Sequence, residues 1–286
     1  MFSIMKKLGH NAAMIMRSYA ARRTLAALLV GACAAAVAAA QSQDTFVPQV
    51  GQEGKDVVWV PTPPELVERM LDLAAVTPQD FVIDLGSGDG RNVIGAARRG
   101  ARALGVEFNP NMVALSTRSA AAAGVADKAR FVEGDMYQAD IAQANVLALF
   151  LLPSNMLQLR PKFLNLRPGS RIVSNTFGIE GWTPDETVTV QDGCSAWCTA
   201  LLWIVPAKVD GPWRLGQDEL ALSQNYQMIA GTLGGASIAD GRLRGDQIRF
   251  TVGAAEYTGR VAGDRIEGAV RGGGPQLSWT ATRAAK

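Results

Sequence analysis

Two rhythms of apolar residues divide this chain. From about residue 65 to residue 205, short apolar runs alternate with stretches of helical period. The runs predict strands over 81–85, 102–107, 130–133, 145–151 and 170–175, each short and apolar as in a sheet covered on both faces. Between Glu65 and Ala74 the apolar positions 66, 67, 70, 71, 73 and 74 form a helical stripe, with Pro63-Pro64 suited to its first turn. Asn111 to Gly124 reads as an alanine-rich helix stopped by glycine, and Met156 to Leu166 as another, ended at Arg167-Pro168-Gly169. Strands near 186–191 and 197–205 would complete a seven-stranded sheet.

After Pro206 strict alternation takes over, as in Glu219-Leu220-Ala221-Leu222-Ser223, and glycine becomes frequent. Gly241-Arg242-Leu243-Arg244-Gly245-Asp246-Gln247-Ile248 returns 18 residues later as Gly259-Arg260-Val261-Ala262-Gly263-Asp264-Arg265-Ile266. Each copy sets Gly-Asp between two alternating runs, a hairpin signal. This tail predicts a small antiparallel β domain over 207–286, with Trp213, Tyr226, Phe250, Tyr257 and Trp279 as its core. Residues 41–58 read as a linker and 59–206 as the α/β domain.

Candidate chemistry concentrates where the first apolar run breaks into glycines, Val82-Ile83-Asp84-Leu85-Gly86-Ser87-Gly88-Asp89-Gly90. A strand, a tight turn and a helix N-terminus fit that order, and glycines there let a ligand approach the backbone closely. The second strand ends in Glu107, placed to accept hydrogen bonds from a ribose diol. Asp84 beside the loop repels phosphate and attracts a cation, which argues against a pyrophosphate on the helix N-terminus. A nucleoside with a cationic, phosphate-free tail fits, and S-adenosylmethionine (SAM) is such a molecule.

These residues resemble class I SAM-dependent methyltransferases: Asp84 to Gly90 as the glycine motif, Glu107 as the acid after it, and Phe131-Val132-Glu133-Gly134-Asp135-Met136 as the third strand with its acid. With Val60-Pro61-Thr62-Pro63-Pro64, Gly105-Val106-Glu107-Phe108-Asn109-Pro110 and Leu152-Pro153-Ser154-Asn155-Met156-Leu157, the chain is similar to the ATP-synthase c-subunit lysine methyltransferases and their bacterial relatives. The likeness covers roughly residues 56 to 205 and is silent on the substrate. It implies a seven-stranded Rossmann-like SAM methyltransferase fold, and the C-terminal antiparallel β module lies outside it.

The resemblance also implies roles. Gly86 and Ser87, with Gly88 and Gly90 in the same loop, would cradle the methionine end, and Asp84 would orient its amino group. Glu107 would hold the ribose, Phe108 the adenine face, and Asp135 with Met136 the adenine edge. The alternative for Asp84 and Asp135 is local capping of loop amides. Methyl transfer is a displacement at a charged sulfur, so alignment and exclusion of water carry it, and no histidine is needed. Ser154 and Asn155, after the fourth strand, are the candidate catalytic residues that would position an amine through neutral oxygens; the alternative is a proline-broken strand end with a helix cap. Thr62 and Trp182 are further candidates for lining the acceptor site.

Charge alters this picture mainly at the N-terminus. Residues 1–40 hold five of the 28 basic residues (Lys6, Lys7, Arg17, Arg22 and Arg23) and none of the 26 acids, so the remainder carries a net charge of −3. No basic patch argues for nucleic acid. Basic residues up to Arg23, an apolar stretch from Leu25 to Ala40 and the A-x-A-like Ala38-Ala39-Ala40 read as an export signal over 1–40, with Gln41 the first mature residue and a periplasmic destination. Lipidation at Cys33, twin-arginine export from Arg22-Arg23, an uncleaved membrane anchor and a start at Met16 are alternatives. Export stands in tension with SAM, which is made in the cytoplasm.

Cys194 and Cys198 would close a turn as a disulfide or stand as two small residues on a strand. With no histidine after His10, a Cys/His metal site is not expected. The expected activity is SAM-dependent N-methylation of a protein lysine. A small-molecule or lipid acceptor, or an exported non-catalytic binding protein on the same fold, are the alternatives.

Overall fold

The structure, a computed structural model, describes residues 46–272 and 274–284. The N-terminal segment read as an export signal, with Cys33 and the 40/41 junction, lies outside the described residues.

Four helices and seven strands build the first layer. In chain order they are α1 (Pro64–Leu73), β1 (Phe81–Leu85), α2 (Arg91–Arg98), β2 (Arg102–Glu107), α3 (Pro110–Ala122), β3 (Ala129–Glu133), β4 (Val146–Leu149), α4 (Pro153–Phe163), β5 (Arg171–Asn175), β6 (Glu186–Thr189) and β7 (Thr199–Ile204). The sheet order is β3-β2-β1-β4-β5-β7-β6. The first five strands pair in parallel, and β7 enters antiparallel between β5 and β6. Four of five residues in β1, all four in β4 and four of five in β5 are buried, because α1 to α4 cover the sheet. Leu66, Val67, Met70 and Leu71 are the buried stripe of α1. Each such side chain contributes about 1.5–3 kcal/mol by leaving water. The predicted strands recur within two or three residues of their expected ends, while α4 begins earlier than expected, at Pro153.

The chain order of the sheet reverses at β1, between β2 and β4. Ligands bind outside the carboxyl ends of the strands at such a reversal.

The remaining strands are β8 (Gly211–Leu215), β9 (Asp218–Asn225), β10 (Met228–Leu233), β11 (Ala236–Arg244), β12 (Gln247–Val252), β13 (Ala255–Ala262), β14 (Arg265–Arg271) and β15 (Leu277–Arg283). Each pairs antiparallel with the next, and β15 returns to β8, so the module is a closed eight-stranded meander. Closure leaves no strand edge free to pair elsewhere. The two Gly-Asp repeats form two-residue turns between Arg244 and Gln247 and between Ala262 and Arg265. Gly245 (φ +63°) and Gly263 (φ +59°) take the left-handed position that a type II′ turn requires first.

Trp213, Phe250 and Trp279 fill the barrel with Leu220, Leu243 and Ile266, and Tyr257 packs at the margin. Tyr226 departs from the expected core. It sits at φ +54° in the β9–β10 turn, which turns its ring out of the barrel and onto Trp182 at 5.4 Å, stacked. Gln227 Nε2 donates to Thr183 O at 2.8 Å beside it, and Arg242 pairs at 2.7 Å with the buried carboxylate of Asp185. Trp182 is therefore buried against Tyr226 of the barrel and does not line the cofactor cleft described below. Among the described residues no helix is long and apolar enough to cross a membrane.

Candidate active site

The first turn after β1 makes the floor of a cleft at the sheet's carboxyl edge. Gly86, Gly88 and Gly90 all have positive φ (+71°, +54° and +84°), a conformation that a side chain resists. Close approach adds to this at two of them. A Cβ on Gly88 would come within 2.7 Å of the Trp59 indole nitrogen, and one on Gly90 within 2.6 Å of the Phe131 ring. The loop is held from below, since Val106 O accepts from the amides of Gly86 (2.8 Å) and Ser87 (3.1 Å).

Glu107 at the tip of β2 fastens the loop from the side. Its Oε2 accepts from Gly88 N and its Oε1 from Asn109 N, both at 2.9 Å. A carboxylate has about four acceptor directions, so two remain for hydroxyl donors. Asp84 lies deeper and is buried. Asn92 Nδ2 donates to its Oδ2 at 3.2 Å. Burial pushes the Asp84 carboxyl well above the usual carboxylate range; the Asn92 hydrogen bond opposes this, and the charges of Glu107 and Asp89 add to it. No loop amide caps this carboxyl, so the capping alternative does not describe it.

Asp135 caps a loop amide with one oxygen and faces the cleft with the other. Oδ1 caps Tyr137 N at 2.8 Å, while Oδ2 faces the cleft and meets Lys55 Nζ at 2.7 Å. The Lys55 ammonium and the Tyr137 amide hold this carboxyl below its ordinary pKa. Lys55 also lies 5.1 Å from the centre of the Phe108 ring. Phe108 is half exposed and Met136 buried, on the same cleft wall.

The cleft thus gathers Asp84, Gly86, Ser87, Gly88, Glu107, Phe108, Asp135 and Met136. Gly90 stands just behind, at the N-cap of α2. Ser154 and Asn155 are not on its wall. Ser154 is exposed on the first turn of α4. Asn155 is buried, its Oδ1 accepting from Leu152 N at 3.1 Å and its Nδ2 donating to Tyr137 Oη at 2.7 Å. That is the helix-cap alternative: the side chain closes the start of α4.

Several wall residues were not legible in the sequence. The stretch 52–62, most of it within the predicted linker, folds over the glycine loop and brings Lys55 and Trp59 with it. Gly51 N to Trp59 O (2.8 Å) and Trp59 N to Gln52 O (3.0 Å) close it into a hairpin-like strap. Arg91 chelates Asp89 and donates to Thr62 O, tying strap to loop. Phe150, directly after β4, completes the wall; an aromatic ending an apolar strand was its only signal.

The residues fit SAM on the structure's own terms. Ser87 Oγ and Asn92 Oδ1 are buried polar atoms without a protein partner, and Asp84 is a buried carboxyl without a cation. A ligand with an ammonium group and hydroxyl donors satisfies such groups.

Residues 84–186 match the ANTKMT methyltransferase domain. A protein-lysine N-methyltransferase from Saccharolobus islandicus (strain REY15A) is 41% identical over 140 residues, covering 48% of this chain and 87% of that one. The ATP synthase c-subunit lysine N-methyltransferase of Mus musculus is 41% identical over 107 residues, and the match spans 37% of this chain and 43% of that one. A solved structure of an RNA methyltransferase from Salinibacter ruber with S-adenosyl-L-homocysteine shares 45% identity, covers 52% of this chain and 96% of that one, and has a TM-score of 0.49.

Proposed function

The chain belongs to the family of SAM-dependent methyltransferases that carries the ANTKMT methyltransferase domain and includes the archaeal protein-lysine N-methyltransferase, and we propose that it N-methylates a lysine in a protein substrate. The observation that carries the lysine reading is the 41% identity over most of that archaeal protein. The cleft's charge supports it: Glu53, Asp56, Asp89, Glu107 and Asp135 outnumber Lys55 and Arg91 on its wall. Such a wall draws an amine in and repels nucleic-acid phosphate.

SAM supplies a methyl group on a sulfonium that leaves as a neutral thioether. The protein's part is positioning. Glu107 orients the ribose, Asp84 receives the ammonium of the methionine end, and the strap with Trp59 excludes water. For Asp135 to meet adenine, Lys55 must swing off the Phe108 face. The accepting amine attacks in its neutral form, so its ammonium gives up a proton to water before transfer.

The test is methylation of a cell extract with radiolabelled SAM, followed by digestion. Label in methylated lysine supports the reading; label confined to RNA, lipid or small molecules overturns it. For location, the order of basic, apolar and small residues before Gln41 supports export, and so does the Cys194–Cys198 disulfide. Native protein that is soluble in the cytoplasm with Met1 intact would overturn export.

A further inference from the structure

The carboxyl ends of β4 and β5 carry an aromatic cluster of which only Phe150 also lines the cofactor cleft. Phe150 follows β4, and Phe177 lies two residues beyond β5, with their rings stacked at 6.0 Å. Trp197 closes the triangle at 6.4 Å from Phe150 and 5.7 Å from Phe177. None of the three belongs to a hydrophobic core of the molecule. Phe150 and Phe177 are half-buried, and Trp197 is 44% exposed. Core filling does not account for three large rings gathered at the surface.

The backbone is shaped to hold the third ring there. Trp197 has φ +57°, in the left-handed region that bulky residues avoid. Its neighbour Cys198 is bonded to Cys194, which closes the loop around it. Asn175 at the end of β5 is fully buried, and its Nδ2 donates to Thr62 Oγ1 at 3.3 Å. Its Oδ1 has no partner, so a neutral acceptor stands two residues before Phe177. Thr62 and Phe150 both line the cofactor cleft, so the cluster is continuous with it.

We propose that Phe150, Phe177 and Trp197 form the acceptor subsite, an aromatic wall that seats a lysine side chain by its ammonium and hands it to the cleft at Phe150. Ring faces attract ammonium groups and still accept them as methyl groups replace their protons. The aliphatic stem of lysine packs on the same rings. This inference rests on the lysine reading above, and the experiment separates the two.

The probe is Nα-acetyl-Nε-trimethyl-lysine methylamide, titrated by saturation-transfer NMR into the full chain loaded with S-adenosylhomocysteine. Its uncharged carbon isostere is the control. Trp197→Ala and Phe177→Ala should each weaken the probe about tenfold while S-adenosylhomocysteine affinity stays within about twofold. Trp197→Phe should recover most of the loss. The Cys194→Ser/Cys198→Ser double variant should lose about threefold, because the loop is no longer closed around the ring. The wild type should bind the isostere several-fold more weakly than the probe. Equal binding of the probe by wild type and Trp197→Ala, no binding by loaded wild type, or equal binding of probe and isostere overturns the subsite. Failure to bind S-adenosylhomocysteine at all would strike at the enzyme reading instead. Lysine methylation that persists with unchanged KM in Trp197→Ala would strike at the subsite alone.

Discussion

Glu107→Ala separates a ligand contact from a structural one. In the free protein both carboxylate oxygens are engaged, by Gly88 N and Asn109 N at 2.9 Å each. Hydrogen bonds to a charged group are worth about 1.5–3 kcal/mol each, and water recovers part of that at a half-buried site. We therefore expect a loss of about 1–2 kcal/mol in stability, or a few degrees in Tm for a domain of this size. The ligand term is separate. The two unused acceptor directions of the carboxylate are those a ribose diol would fill. Losing them should cost about 1.5–3 kcal/mol of affinity, roughly 10- to 150-fold. Glu107→Gln should fall between, because its amide nitrogen cannot accept from either backbone N–H.

Calorimetry with S-adenosylhomocysteine and its 2′-deoxy analogue, on wild type and Glu107→Ala, forms a cycle that isolates the contact. The variant should lose much more affinity for the parent ligand than for the deoxy analogue. Equal losses for both would mean that Glu107 acts only by holding the loop, and equal binding by wild type and variant would refute the cofactor role altogether.

Asp84→Asn should make the free protein less sensitive to rising pH: a buried carboxyl with a raised pKa costs stability as pH climbs from its unfolded value through its folded one, and Asn does not ionise. SAM affinity should rise with pH over the same window in wild type and stay flat and weaker in the variant; parallel pH profiles by calorimetry would refute the assignment. Arg242→Ala leaves the buried Asp185 carboxylate without its counter-ion and should cost about 2–3 kcal/mol by urea unfolding, with Asp185→Asn in the same background restoring part of it because Ile204 N keeps an acceptor. A chain ending at Pro206 should still bind SAM, since no cleft residue comes from the barrel, but should melt earlier because Trp182 loses Tyr226 and Thr183 loses Gln227. A folded truncation that cannot bind SAM would show that the barrel shapes the cofactor site.

Local pattern determined much of this protein in advance. Apolar runs marked β1, β4 and β5 most clearly, because burial on two faces leaves a continuous apolar signature there. The three glycines marked a tight turn, since their positive φ values disfavour most other residues, and the Gly-Asp repeats marked hairpins for the same reason. Glu107 was legible because its place depends only on the length of β2. What the tertiary structure decided is non-local. The return of β15 to β8 that turns a meander into a barrel leaves no trace in either strand. Lys55 and Trp59 reach the cleft from a stretch without periodicity, held by contacts with Gly88, Asp135 and Arg91, distant in sequence. Asn155 carried the polar pattern of an acceptor site, yet its hydrogen bonds close a helix; Tyr226 carried the pattern of a core ring, yet a left-handed turn sends it to Trp182. Phe150, Phe177 and Trp197 come from three separate loops, and only the packing of the strands beneath them brings their rings together.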